Sequence, residues 1–125
     1  MKIFYHGSPT SNIKILEPRV DPRLGIEGLF VADEPFGPMV FSLLPVRADA
    51  IVNYTTQDGR FIKGKVVARN LNETGWLYTL EAEDELIVER DAGKYYLTAP
   101  VRVTKSQKIL KEDILKLGWK WKQEE

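Results

Sequence analysis

Tyr5-His6-Gly7-Ser8 and Gly28-Leu29-Phe30-Val31-Ala32-Asp33 carry the strongest structural signals in this chain. The first closes an apolar, aromatic run, Lys2 to His6, which reads as a short strand stopped by Gly7-Ser8-Pro9. The second is a continuous apolar run of strand length, suited to a position covered on both faces. Asp33 follows it as a natural helix N-cap, with Pro35 in the first turn, where the missing N–H costs nothing. Met39, Val40, Leu43 and Leu44 then carry the spacing of a short helix that Pro45 ends.

Outward from these stretches the pattern is mostly β. Ile13 to Leu16 alternates weakly, and Pro22 to Gly25 reads as loop. Ile51 to Thr56 and Phe61 to Ala68 flank Gln57-Asp58-Gly59-Arg60, whose Asp-Gly pair predicts a tight hairpin. Trp76 to Leu80 and Glu85 to Glu89 read as strands, and Asp91-Ala92-Gly93 turns the chain into Lys94 to Thr98. Val101 to Leu110 follows a bend at Pro100. Lys111 to Leu117 then reads as a short helix closed by Gly118. Trp119 and Trp121 alternate with Lys120 and Lys122, as in a final strand or a strap across the core. No linker, repeat or low-complexity tract interrupts the chain. The expectation is one α+β domain over residues 1–125, mostly antiparallel β with a few short helices.

Composition narrows the function classes. Lys and Arg total 18, Asp and Glu total 18, and no basic stripe is written in the chain. That balance argues against nucleic acid as a partner, which would need cations to displace counterions. With no cysteine and one histidine, thiolate chemistry and the usual multi-histidine metal centres are out of reach, so no metal is expected. No run approaches membrane-spanning length and the start lacks the apolar segment of a signal peptide, so a cytoplasmic protein is expected.

The residues that can do chemistry sit in the two opening stretches. His6, at a strand end, can hydrogen-bond a sugar hydroxyl; Gly7 lets a ligand approach the backbone; Ser8 can reach a hydroxyl or phosphate. Read alone, His6 is equally a histidine tied to a carbonyl, and Gly7-Ser8-Pro9 only a turn. Phe41, on the short helix, can stack on a planar heterocycle beside Phe30, although both rings also suit a core. Arg19 and Arg23 stand in a loop from which they can reach phosphates, and Glu83-Asp84-Glu85 reads as a solvated acidic run.

Taken together, the two stretches resemble the ADP-ribosyltransferase superfamily in its histidine-containing branch, the diphtheria-toxin-like and poly-ADP-ribose-polymerase-like enzymes. Members of that branch open with an aromatic residue and His-Gly-Ser or His-Gly-Thr, as Tyr5 to Ser8 do here. They continue with a Gly-Leu-Phe-Val-Ala-like run, as Gly28 to Ala32 does. The motif support covers roughly the first third of the chain. The resemblance implies split, mostly antiparallel sheets around a cleft for NAD, which serves as substrate. It implies that His6 holds the adenosine-side ribose and that the Gly7 backbone binds the nicotinamide carboxamide. Phe41 would stand where a stacking tyrosine is usual, with Tyr5, Ser8, Phe30 and Ala32 lining the same pocket.

One part of the family pattern is missing. Active members carry a glutamate at the start of a late strand, here Lys94-Tyr95-Tyr96-Leu97-Thr98, and no carboxylate stands there. Tyr96 or Tyr95 occupies the position, with Glu89 nearby in sequence, so His6, Tyr96 and Glu89 are the catalytic candidates. A phenol is uncharged at neutral pH and does not replace a carboxylate's negative charge. Three functions therefore stand as expectations: transfer of ADP-ribose to an unknown acceptor, a catalytically inactive ligand-binding or protein-interaction domain of the same fold, and phosphate transfer from RNA to NAD. The last needs several arginines around the nucleotide, and the chain offers Arg19, Arg23 and the distant Arg47.

Overall fold

A computed structural model describes residues 1–21, 26–45, 50–90 and 94–124. Their pattern is mostly antiparallel β-sheet with two short helices, an α+β domain. The central sheet has the order β1-β7-β10-β2, formed by Lys2–Ser8, Thr74–Ala82, Val101–Leu110 and Ile15–Leu16. A second sheet, β3-β4-β9-β8, is formed by Arg19–Asp21, Ile26–Val31, Lys94–Leu97 and Ile87–Arg90. The third, β11-β6-β5, joins Trp119–Gln123 in parallel to Arg60–Ala68, which pairs in turn with Ile51–Gln57.

The central sheet is covered on both faces, which is why β7 reads as a nearly unbroken apolar run. On one face Phe4, Tyr78, Leu80 and Ala82 pack with Leu29, Val31 and Leu97 of the second sheet. On the other, Leu77 and Ile109 pack with helix α1 (Phe36–Phe41), helix α2 (Lys111–Leu117) and Val66, Ala68 and Trp119 of the third sheet. Val31, Val40, Leu43, Leu80 and Ile114 lose all solvent exposure. Each such side chain contributes about 1.5–3 kcal/mol of apolar transfer free energy.

The Asp58-Gly59 hairpin forms as expected: both residues have positive φ, 52° and 74°, the geometry of a type I′ turn between twisted strands. Helix α2 starts where Asp113 accepts a hydrogen bond from the Leu110 N–H at 2.8 Å. It stops at Gly118, whose φ of 124° disfavours a side chain. The expected N-cap at Asp33 is not realised. Helix α1 begins at Phe36 with Pro35 as its N-cap residue and no side-chain cap, because the chain first bridges Ala32 to Tyr5. Leu43 and Leu44 lie in turns after the helix, which ends at Phe41, yet both are buried. The run Glu85 to Glu89 divides into a 3-10 turn, Asp84–Leu86, and the start of β8. Arg19 opens a strand rather than a loop. The expected loop Pro22 to Gly25, the turn Asp91-Ala92-Gly93, and Arg23 and Arg47 lie outside the described residues.

Candidate functional site

The first two sheets meet at one point. Tyr5 N–H donates to the Ala32 carbonyl at 2.8 Å and Ala32 N–H returns a bond to the Tyr5 carbonyl at 2.9 Å. A ladder continuing from that pair would bring Gly7 opposite Phe30. It does not continue. Instead His6 Nδ1 stands 2.8 Å from the Phe30 carbonyl. A carbonyl only accepts, so Nδ1 carries the proton and donates, and Nε2 is left as an acceptor. Alternation along β1 then fixes where Gly7 points. Tyr5 directs its backbone groups away from β7, so Gly7, two residues on, directs its N–H and carbonyl the same way, toward the side on which β4 leaves β1.

Gly7 is needed for a second reason. A Cβ there would stand 1.9 Å from the Pro38 carbonyl oxygen of α1, and one at Gly75 would stand 2.2 Å from the Ser42 carbonyl oxygen. The two glycines let the end of α1 lie directly on the central sheet, which brings Phe41 to the junction. There Phe30 meets Phe41 edge-on with ring centroids 5.6 Å apart and Tyr96 edge-on at 5.9 Å. Phe30 and Tyr96 are direct cross-strand neighbours, so they share one face of the second sheet. His6, Gly7, Phe30, Phe41 and Tyr96 therefore come together, with Tyr5 and Ala32 as the bridge that ends the ladder.

Two expected site residues have other surroundings. Ser8 Oγ accepts a hydrogen bond from the Thr10 N–H at 3.1 Å, which closes the turn after β1 and is the plain structural role for that serine. Glu89 is exposed and pairs across β8 and β9 with Tyr95. Tyr95 packs with Phe4 at 6.0 Å on the sheet's other face, so alternation puts Glu89 opposite the face that carries Phe30 and Tyr96. The acidic run is exposed, as its composition suggests, and Asp84 meets Lys2 at 3.5 Å.

The electrostatics favour a neutral imidazole. Burial lowers the His6 pKa below its ordinary 6.5, partly offset by the bond to Phe30, and the positive charge of Arg19 pushes the same way as burial. Arg19 is thus near enough to be felt at the junction, from a strand that no sequence signal announced. Tyr78 also escaped notice in the sequence. Its hydroxyl donates to the Thr10 carbonyl and accepts from the Ile13 N–H at 3.3 Å, tying the segment after Ser8 down onto β7. Its fully buried ring explains why a strand residue needs that polar tip satisfied.

Among the described residues no three of His, Asp and Glu come together as metal ligands, and no helix is long and apolar enough to cross a membrane. Comparison with protein-family models, curated proteins and solved structures found no match to this chain.

Proposed function

We propose that the chain is an NAD-binding, ADP-ribosyltransferase-like protein whose ligand enters the gap between β1 and β4. The observation that carries this reading is the parting of the two strands after Tyr5 and Ala32. Gly7 turns one donor and one acceptor into the gap, and a carboxamide such as that of nicotinamide carries the complementary pair. Phe30 and Phe41 offer ring edges and faces to the nicotinamide, and Nε2 of His6 accepts from a ribose hydroxyl. Arg19 supplies positive potential for the pyrophosphate. Cleavage of the nicotinamide–ribose bond would build an oxocarbenium-like centre, as in glycoside cleavage.

Binding without transfer is the second reading, and one observation favours it. Stabilising that centre calls for negative charge, and Glu89 belongs to the opposite face from Tyr96. Tyr96 brings a phenol to the site but no charge.

Thermal denaturation with NAD tests the site. A rise in Tm at millimolar NAD, lost in His6→Ala with the fold retained, is the expected result. No rise for the wild type sinks the assignment. Incubation with radiolabelled NAD and cell extract separates the readings. Label on any protein, nucleic acid or the chain itself selects transfer; binding with no label selects the inactive domain.

A further inference from the structure

We infer that the outer face of the third sheet binds the phosphate backbone of single-stranded nucleic acid, through Lys63, Lys65, Lys120 and Lys122. The balanced total charge hides a segregation. Along β11 the tryptophans turn inward, Trp119 with only 2% exposure, so Lys120 and Lys122 turn outward. Along β6, Gly64 and Val66 are buried and Lys63 and Lys65 are exposed. Because β11 runs parallel to β6, Lys120 stands directly beside Lys65, and Lys122 beside Val67. The four lysines therefore form one track along the strands, with Lys65 and Lys120 abreast at its middle. Successive lysines on a strand are roughly 6.6 Å apart, two residues at about 3.3 Å each. That spacing is comparable to the separation of neighbouring phosphates on an extended strand.

Three further facts point the same way. None of the four lysines forms an ion pair among the described residues, and the carboxylates nearest in sequence lie at the track's ends, Asp58 in the hairpin turn and Glu124 after β11. Like charges directly opposite each other destabilise a sheet, so Lys65 beside Lys120 is a cost with no structural return. Over this row lies an open hollow of about 310 Å³, with Asn53 and Thr55 of β5 beside Lys63 and Lys65 as neutral hydrogen-bonding neighbours. The track continues past the hollow to Lys122, which favours an extended polyanion over a compact phosphate ligand.

Fluorescence anisotropy with labelled oligothymidine at roughly 50 mM salt tests the surface. The expected result is saturable binding whose log K falls against log salt with a slope of about −3, four phosphate contacts at about −0.7 each. Lys65→Glu with Lys120→Glu should weaken binding at least tenfold. Lys120→Glu alone should raise Tm slightly by relieving the like-charge pair, so that loss of binding is not loss of fold. Lys94→Glu with Lys105→Glu, an equal charge change at exposed positions on β9 and β10, should leave binding within about twofold. His6→Ala should bind oligothymidine like the wild type, which makes this surface independent of the NAD reading. The inference is overturned by absence of binding at low salt, or by equal losses in the two charge-reversed doubles. Displacement of the oligonucleotide by low-millimolar inorganic phosphate, or binding only to phosphatidylserine vesicles, also overturns it.

Discussion

Two aromatic regions of this molecule use the same residue types and end differently. At the junction of β1 and β4, Phe30 touches Phe41 and Tyr96 edge-on, and the neighbouring glycine keeps its polar groups turned toward the side on which β4 leaves β1. Beneath the third sheet, Phe36, Tyr54, Phe61 and Trp119 close on one another, with Phe61 and Trp119 at 5.2 Å and Tyr54 and Trp119 at 5.5 Å. Here the glycines are roofed by rings. A Cβ on Gly64 would stand 2.7 Å from the Trp119 ring, and one on Gly37 would stand 3.2 Å from Tyr54. Among the described residues Trp119 Nε1 is buried with no hydrogen-bond partner, a cost that the ring packing around it has to outweigh. In one region the glycine leaves polar backbone turned away from its sheet partner; in the other the rings fill the space at the glycines.

The largest expected effect tests the glycine at the junction. Gly7→Ala drives a methyl group into the backbone of α1, which cannot give way as a side chain can. A loss of about 3 kcal/mol or more is expected in urea denaturation, with a Tm drop of roughly 10 °C. A wild-type midpoint would show that α1 does not rest on β1 in solution. Gly64→Ala meets a ring instead of backbone, so a smaller loss of about 1–3 kcal/mol should follow, with quenched or shifted Trp fluorescence as the ring tilts. If Gly64→Ala proved the costlier of the two, the contrast between backbone and ring as neighbours would be wrong.

Tyr54 is the polar exception under the third sheet. Its hydroxyl donates to Glu34 Oε1 at 3.0 Å, and burial together with the Glu34 charge pushes its pKa up to about 12. The fold therefore favours the neutral phenol, and this contribution to stability is lost as pH rises from about 10 to about 12. Tyr54→Phe should cost about 1 kcal/mol and remove a step near pH 12 from an ultraviolet pH titration. An unchanged titration curve would break the link between Tyr54 and Glu34.

The smallest effect at neutral pH is expected for His6→Gln, because glutamine can still donate to the Phe30 carbonyl. Its signature is in acid. The His6 pKa is lowered in the fold, so its stabilising contribution is present above 6.5 and lost as pH falls toward the lowered value, where the unfolded chain takes up the proton first. Thermal melts from pH 7.5 down to pH 5 should show a shallower decline for His6→Gln than for the wild type. Parallel curves would mean that the imidazole is not buried against Phe30.

Several elements were legible from local signals. Asp58-Gly59 specifies its own turn, Gly118 ends its own helix, and the apolar run to Val31 is a strand wherever it packs. Phe41 was a candidate from its place on the short helix after the Phe30 strand, Tyr96 only through the family resemblance, and the structure brings both to Phe30. Ser8 takes the local turn contact that its sequence also allowed, while the face of Glu89 and the missing N-cap at Asp33 depend on distant parts of the chain. Register puts the carboxylate on the other face, and the bridge to Tyr5 delays the helix.

The lysines show the same division. Their alternation with Trp119 and Trp121 is written in the sequence, and it dictates that one set is buried and the other exposed. That Lys120 lands beside Lys65, in a chain with no net charge, depends on β11 joining β6 in parallel at one register. Likewise, local pattern determined that Lys2 to His6 is a strand, while the parting of β1 from β4 after a single bridge was settled by α1 lying on Gly7 and by His6 capturing the Phe30 carbonyl. Periodicity and turn chemistry act over a few residues and are read from the chain. Register and strand separation are set by contacts between segments far apart in sequence, and those exist only once the sheets have packed.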